Sequence, residues 1–463
     1  MSQTTITQKE SGFYKWEVLI LLWFAYWFNQ ADRQIYNTLI GDIRKSLEMT
    51  DAHAGLVATV FMWVLAICFP LAGFAVDRFG KKGIIVSSLI LWSAATVISG
   101  GCTAFFLFII FRCVATGVGE GFFSPAAYTS LSEYHEKDTR ATAVSIYTTA
   151  QYLGIVVCGG IAGWLVDKWV SLQQSGSLSF LGPIAELEGW RVVFFIFGTL
   201  GVLLGIIILC RLRDKNPPAK MVGSTNAKSD VSVWESVKIF FSIPSAVLLT
   251  VAFSGVVFVV QAYLTWSTDY LRETFNMSRA EAGFNAVLWM HVGAFVGILI
   301  AGKLSDFLAM KKMQYRVLMQ SFGYILAVPF IILIGFSEYA RTALGLSDTT
   351  IGITTTIALI YIGMLGFGFF RGFYDANIYP TLYDVVPSKY RGSATGIMLF
   401  VGFLLASPGP WLLGLLKPII GLDCGIASLS LVWLVLGIML LFVYKLTYAR
   451  DCAKAMEYDS ADK

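Results

Sequence analysis

The feature that most constrains this chain is a succession of long apolar runs, each able to cross a bilayer, which takes about 20 apolar residues as a helix. Twelve are read, near 16–40, 53–76, 83–101, 104–132, 140–166, 191–210, 238–270, 280–304, 316–337, 350–381, 392–416 and 425–446. In hydrocarbon every backbone amide needs a partner inside the protein, so runs of this length read as helices. Composition agrees: of 463 residues 56% are hydrophobic and only 14% charged, with mean hydropathy +0.69. A soluble chain carries about 25% charged residues. So few charges exclude a soluble enzyme, a nucleic-acid binder and a disordered scaffold.

Orientation follows from the basic residues. With both termini on the cytoplasmic side, about 23 of the 34 Lys and Arg fall inside and about 8 outside, the bias expected of an even number of spans. The stretch Arg211–Val231, with its Pro pair and Ser, Asn and Lys content, reads as a linker. The expected domains are 1–210, a cytoplasmic linker 211–237, and 238–463. Met1 to Lys15 is polar and lacks an h-region, so no signal peptide is expected. The seven cysteines form no CxxC pair and read as small buried hydrophobes; with three histidines in no ligand spacing, neither metal nor cofactor is expected.

The second part of the chain echoes the first. MTDAHAGL (49–56) matches MSRAEAGF (277–284), and GFAVDRFGKK (73–82) is echoed by GKLSDFLAMKK (302–312). GVGEGFF (117–123) aligns with GFFRGFY (368–374), which sets Glu120 opposite Arg371. Two parallel six-helix repeats point to a transporter with its substrate site near the midplane.

Charges within the spans sharpen this, since each costs roughly 2.5–3.5 kcal/mol at the bilayer centre. In WFNQADRQIYN (27–37), Asn29, Arg33 and Tyr36 share one helix face with Asp32 beside them. Arg112 and Glu120 lie in one span, and Arg371 and Asp375 stand at i, i+4 in another, the spacing of an ion pair. Arg33 suits a substrate carboxylate, because its planar fork binds bidentately and keeps its charge. Glu120, desolvated, suits loading and releasing a proton, and Asp32 suits the same role once Arg33 is occupied. Structural pairing is the competing reading, evenly balanced for Arg371–Asp375; Arg112 is either an anion contact or a partner of Glu120. His291 reads as a packed histidine rather than a relay. Pro408-Gly409-Pro410 reads as a break or kink.

These residues resemble the major facilitator superfamily over nearly the whole chain. GFAVDRFGKK is similar to that superfamily's signature between helices two and three, with GKLSDFLAMKK at the equivalent place. Physically, Gly73, Asp77, Arg78, Gly80 and Lys81, echoed by Gly302 and Asp306, are expected to form a conformational latch that breaks as the halves rock apart, the competing reading being a solvated charged turn needed only for topology. The implied fold is all-α with twelve transmembrane helices in two pseudo-symmetric bundles. Helices one, four, seven and ten then line the cavity, adding Gln261, Tyr263, Thr265 and Trp266, with Gln151 from helix five and Asn377 beyond Arg371.

Within the superfamily, Asp32-Arg33, Arg112…GEG (119–121) and the run 125–147 resemble the anion:cation symporter family. That resemblance implies proton-coupled import of a sugar acid, with Arg33 on the carboxylate and Asp32 and Glu120 carrying protons. The spinster-like branch of lysolipid transporters shares the Asp-Arg pair and GVGE, and stays open as an alternative, as does a membrane sensor. A channel and drug export are less favoured. The expected setting is a bacterial cytoplasmic membrane, with a monomeric protein whose partners are a small anionic substrate, protons and lipid.

Overall fold

The computed structural model describes residues 13–135, 139–214, 233–337 and 350–461, together with 339, 342 and 345; the side chains at 73, 74, 77, 78, 140, 141, 233, 350, 351 and 461 lie outside the description. The described chain is helical throughout. The first half comprises α1 (Tyr14–Ser46), α2 (Asp51–Phe79), α3 (Lys81–Gly101), α4 (Phe105–Tyr134), α5 (Arg140–Gln174) and α6 (Gly189–Arg211). A short helix α7 (Val233–Ser242) follows, and then α8 (Pro244–Phe275), α9 (Arg279–Ala309), α10 (Tyr315–Gly335), α11 (Thr350–Asp375), α12 (Ile378–Val385), α13 (Arg391–Ala406), α14 (Pro408–Phe442) and α15 (Tyr448–Ala461). Among the described residues, ten segments are long and apolar enough to cross a membrane. Most of the sequence linker, 215–232, lies outside the described residues.

Local chemistry places the helix ends. Thr50 caps α2 by accepting from the His53 amide, and Ser278 caps α9 in a full capping box with Glu281. These are equivalent positions of the first repeat motif, so that part of the repeat encodes a helix start. The expected span at 238–270 instead begins at Pro244: Ile243 is extended, and proline takes the first helical turn, where no amide is needed. The Pro408 break is present, separating α13 from α14 at Ser407. Gly80, at φ +79, turns α2 directly into α3, and Gly421, at φ +76, breaks α14; both lie where side chains are strained. A π-helical segment, Ile109–Ala115, interrupts α4 and carries Arg112, an insertion that re-aims side chains.

Within the first half α1 packs on α5, and α3 on α4 and α6; within the second, α10 packs on α11 and α14, and α9 on α11. The halves meet along two seams, α2 against α14 and α5 against α9. Glycine lets the backbones touch there. A Cβ on Gly55 would lie 2.3 Å from the Pro410 carbonyl oxygen, and one on Gly283 2.4 Å from that of Gly159. Gly55 and Gly283 are again repeat equivalents, so each half offers the same glycine to the other.

At the end where these seams are tightest, an ion network ties the halves together. Arg279 reaches Asp42 at 2.7 Å and Asp167 at 2.9 Å, and Arg272 reaches Asp42 at 3.0 Å. Lys417 binds Asp269 at 2.8 Å and Glu273 at 2.9 Å, while Arg44 joins Asp51 to Glu273. The ion pairs described at the opposite end each stay within one half, for example Arg316 with Asp306 and Asp384 at 3.1 Å.

Candidate functional site

Between the halves lies a cavity of about 280 Å³, just below the roughly 300–1,000 Å³ of pockets that hold drug-sized ligands. The first half contributes Gln30, Arg33, Gln34 and Asn37 of α1 with Gln151 of α5. From the second half come Gln261 of α8, His291 of α9, and Arg371 and Asp375 of α11. The remaining wall, mostly from α8 and α13, is apolar and includes Phe253, Val256, Val260 and Phe403.

Arg33 is the residue about which the first-half site is built. Its Nε donates to Glu120 Oε2 at 2.5 Å, and Phe61 lies 5.3 Å beneath the guanidinium. Its side chain keeps 25% exposure toward the cavity while Glu120 keeps none, so the arginine screens the carboxylate from whatever enters. The other oxygen of Glu120, Oε1, is buried without a hydrogen-bond partner. A side pocket lined by Arg33, Tyr36, Asn37, Phe61, Arg112 and Gln261 opens beside it.

Asp32 takes a different position from its neighbour. It accepts from Arg112 Nη1 and from Thr96 Oγ1 (2.6 Å), and Arg112 Nη2 donates to its backbone carbonyl at 2.7 Å. Both residues are at most 7% exposed along their side chains. Asp32 is absent from the main cavity, and its bonds make it the anchor of Arg112. On the second-half side, Arg371 Nε faces Asp375 Oδ2 at 3.0 Å, yet that nitrogen is buried without an aligned hydrogen bond. His291 Nδ1 lies 2.7 Å from the Val287 carbonyl, which leaves the opposite side of the ring toward the cavity.

Several residues singled out from the sequence lie off the cavity. Tyr263 donates to the Ala286 carbonyl at 2.9 Å and Trp266 to the Pro410 carbonyl at 2.9 Å, each fixing α8 to a neighbouring helix. Asn377 accepts from Ser305 at 2.5 Å and donates to Phe373. Asn29 accepts from Gln30, and Tyr36 donates to the Ala54 carbonyl at 2.6 Å, reaching only the side pocket. The cavity face of α1 is therefore 30-33-34-37 rather than 29-33-36, the two stripes crossing at Arg33. Of the latch residues, the side chains of Gly73, Asp77 and Arg78 lie outside the described residues. Lys81 binds Glu133 at 2.7 Å, and nothing lies within 4 Å of where a Cβ on Gly302 would stand. Asp306, which has no arginine after it in sequence, receives Arg316 from α10 instead.

Sequence reasoning does not single out Gln30, Gln34 or Asn37, although their i, i+4, i+7 spacing is the available signal. It also misses the ion network, whose partners are as much as 237 residues apart.

The fold and the cavity between two repeats define a membrane transporter architecture. The sequence matches the Major Facilitator Superfamily over residues 22–410, and the chain belongs to that superfamily. It is an integral multi-pass membrane protein, and its relatives are transporters rather than enzymes. A probable galactarate/D-glucarate transporter of Bacillus subtilis (strain 168) is 24% identical, over 86% of this chain and 85% of its own length. Protein spinster homolog 1 of Xenopus laevis is 26% identical, over 86% of this chain and 72% of its own length. The crystal structure of a bacterial homolog to the human lysosomal transporter Spinster, inward-facing and occupied, superposes with TM-score 0.75 at 20% identity, covering 95% of this chain and 98% of that one.

Proposed function

We propose that this protein imports an organic anion, a sugar acid, by proton symport through alternating access. The observation that carries the reading is the cavity lining: two guanidiniums beside five carboxamides, those of Gln30, Gln34, Asn37, Gln151 and Gln261. Guanidinium forks match carboxylates, and carboxamides both donate to and accept from hydroxyls. Adding α1 to the ten apolar segments and dividing the last at Gly421 brings the crossings to twelve, with both termini cytoplasmic. The two bundles are 1–210 and 238–463, joined by the linker 211–237. The protein works as a monomer in a bacterial cytoplasmic membrane, and the Gly73–Lys81 loop with Gly302 and Asp306 acts as a latch at the cytoplasmic end.

In this orientation the ion network closes the outer end, so the cavity faces the cytoplasm. The cycle turns on competition for Arg33. A substrate carboxylate takes the guanidinium's terminal nitrogens and loosens its hold on Glu120, which then takes a proton instead of remaining a buried bare carboxylate. Of the two carboxylates expected to carry protons, we assign the role to Glu120 and give Asp32 that of holding Arg112 against α1. Rocking to the cytoplasmic side releases substrate and proton, and Arg33 returns to Glu120.

A second reading has one observation in its favour: the apolar wall of Phe253, Val256, Val260 and Phe403 suits the hydrocarbon of an anionic lysolipid. Uptake into proteoliposomes under an inward proton gradient separates the two. Accumulation of labelled glucuronate, galactonate or galactarate, lost in Arg33→Ala and reduced to exchange in Glu120→Gln, supports symport. Lysolipid transfer with no uptake of any sugar acid overturns it.

A further inference from the structure

We propose that His291 is a specificity-determining residue of the cavity, its Nε2 accepting a hydrogen bond from one hydroxyl of the substrate. This rests on the sugar-acid reading above and adds to it the group that checks a hydroxyl for its proton.

Two of the three histidines show opposite constructions. His135 is a structural ring: it is fully buried, with Nδ1 3.3 Å from Thr139 Oγ1 and Nε2 3.1 Å from the Lys15 carbonyl. His291 has only one nitrogen so engaged. A carbonyl can only accept, so the 2.7 Å contact with Val287 puts the ring proton on Nδ1. In the neutral ring Nε2 then carries the lone pair. That nitrogen makes no hydrogen bond among the described residues, yet it is not sealed within the packing. His291 is the residue through which α9 lines the cavity, and it keeps 8% exposure. The ring is held from both halves. Val287 fixes it along α9, and Tyr152 of α5 meets it edge to face, 6.0 Å between centroids. A polar ring in a membrane span is costly to keep without a use.

The rest of the lining gives Nε2 a chemistry of its own. Arg33 and Arg371 only donate, while the five carboxamides both donate and accept. Asp375 accepts, but it faces Arg371 at 3.0 Å. Nε2 is an uncharged acceptor with no proton to offer. A hydroxyl satisfies it. A keto oxygen or a fluorine at the same place sets lone pair against lone pair. A carboxamide can turn to suit either and so discriminates less.

Two measurements on the full chain test this. The first is 15N NMR of the histidine-labelled protein in nanodiscs, with His291 assigned by the loss of its signals in His291→Phe. The proton is expected on Nδ1. The Nε2 resonance should move on addition of galactarate, galactonate or glucuronate, while those of His53 and His135 stay. The second is proteoliposome uptake of whichever of these acids the wild type accumulates, competed by derivatives with one hydroxyl at a time replaced by fluorine. At one position the fluorine should raise the inhibition constant about fivefold, the loss of one neutral hydrogen bond, and in His291→Phe that position should lose its effect. The Phe variant strands no group, because the Val287 carbonyl keeps the helix amide of His291. In it KM should rise about fivefold with kcat and proton dependence unchanged, and His291→Gln, which keeps an acceptor, should bring KM back to within about twofold. A ring needed only for packing would be replaced better by Phe than by Gln. A proton on Nε2, or the same fluorine profile in wild type and His291→Phe, overturns this proposal and leaves the sugar-acid reading standing. Uptake of none of the three acids overturns that reading and this proposal with it.

Discussion

The two seam glycines provide the sharpest test of how the halves move. In the observed state a Cβ on Gly283 would meet the Gly159 carbonyl oxygen at 2.4 Å, and one on Gly55 would meet that of Pro410 at 2.3 Å. An ordinary contact of this kind is at least 3.4 Å, so Gly283→Ala needs the helices to part by about 1 Å. The obstacle is backbone on a packed helix, which cannot swing aside. Overpacking of this sort costs about 1–3 kcal/mol, and it is incurred only where the ion-network end is closed. With the seam open the methyl meets nothing from the other half, and its small gain in helix propensity is common to both states. A penalty near 2 kcal/mol moves the equilibrium about 30-fold toward the state open at the ion-network end. Because the glycines sit on separate seams, Gly55→Ala/Gly283→Ala should shift it further. The assay is double electron–electron resonance between spin labels at Gln174 and Ile419, both exposed, in a background where the exposed Cys210 is replaced by Ser. Gly396→Ala is the control, since nothing lies within 4 Å of its Cβ position. A longer label distance in the seam variants than in the control is expected. Distance distributions identical to the control would refute the reasoning.

Other outcomes follow from the same geometry. Lys417→Met removes the cation that reaches Asp51 of the first half at 3.2 Å; the end that carries the ion network should open more often, read as faster labelling of a cysteine placed at Asn37. Asp32→Asn removes the anchor of Arg112, and breaking a buried pair costs about 3–5 kcal/mol, so it should lower the melting temperature in detergent. Its surviving transport should keep the same proton dependence, and loss of coupling without loss of stability would return the proton role to Asp32. Tyr263→Phe gives up one bond to the Ala286 carbonyl, worth about 1 kcal/mol; it should reduce thermal stability slightly and leave KM unchanged in uptake assays.

The parts of this protein legible in its sequence are those with local causes. Long apolar runs foretell helices because the lipid leaves the backbone no other choice. The repeated M-[TS]-x-A-x-A-G motif is visible as a repeat, and its matching positions act on their immediate surroundings. Thr50 and Ser278 cap helices, while Gly55 and Gly283 admit a neighbour's backbone. The start of α8 is hidden because an amphipathic run, Val233–Ser242, precedes Pro244, and periodicity alone does not say whether two apolar stretches join. The polar cluster of α1 is legible but turned by one residue, since 29-33-36 and 30-33-34-37 are equally good helical stripes. Only the packing of Asn29 and Tyr36 against neighbouring groups decides between them.

Charge pairing is the least legible property, and the reason is distance along the chain. The i, i+4 pair of Arg371 and Asp375 is readable, whereas the partner of Asp32 is 80 residues away and those of Asp42 are 230 and 237 away. A sequence shows which charges a membrane span carries but not which opposite charge meets each. That assignment separates two adjacent residues of opposite kind: Asp32, whose every oxygen is engaged by fixed donors, and Arg33, which holds Glu120 by one nitrogen and turns the rest of its fork to the cavity. A side chain with all its bonds made inside one half has no reason to change partner as the halves rock. One that shares its charge between a buried carboxylate and an open cavity does, and on that ground we propose the coupling step at Arg33 and Glu120.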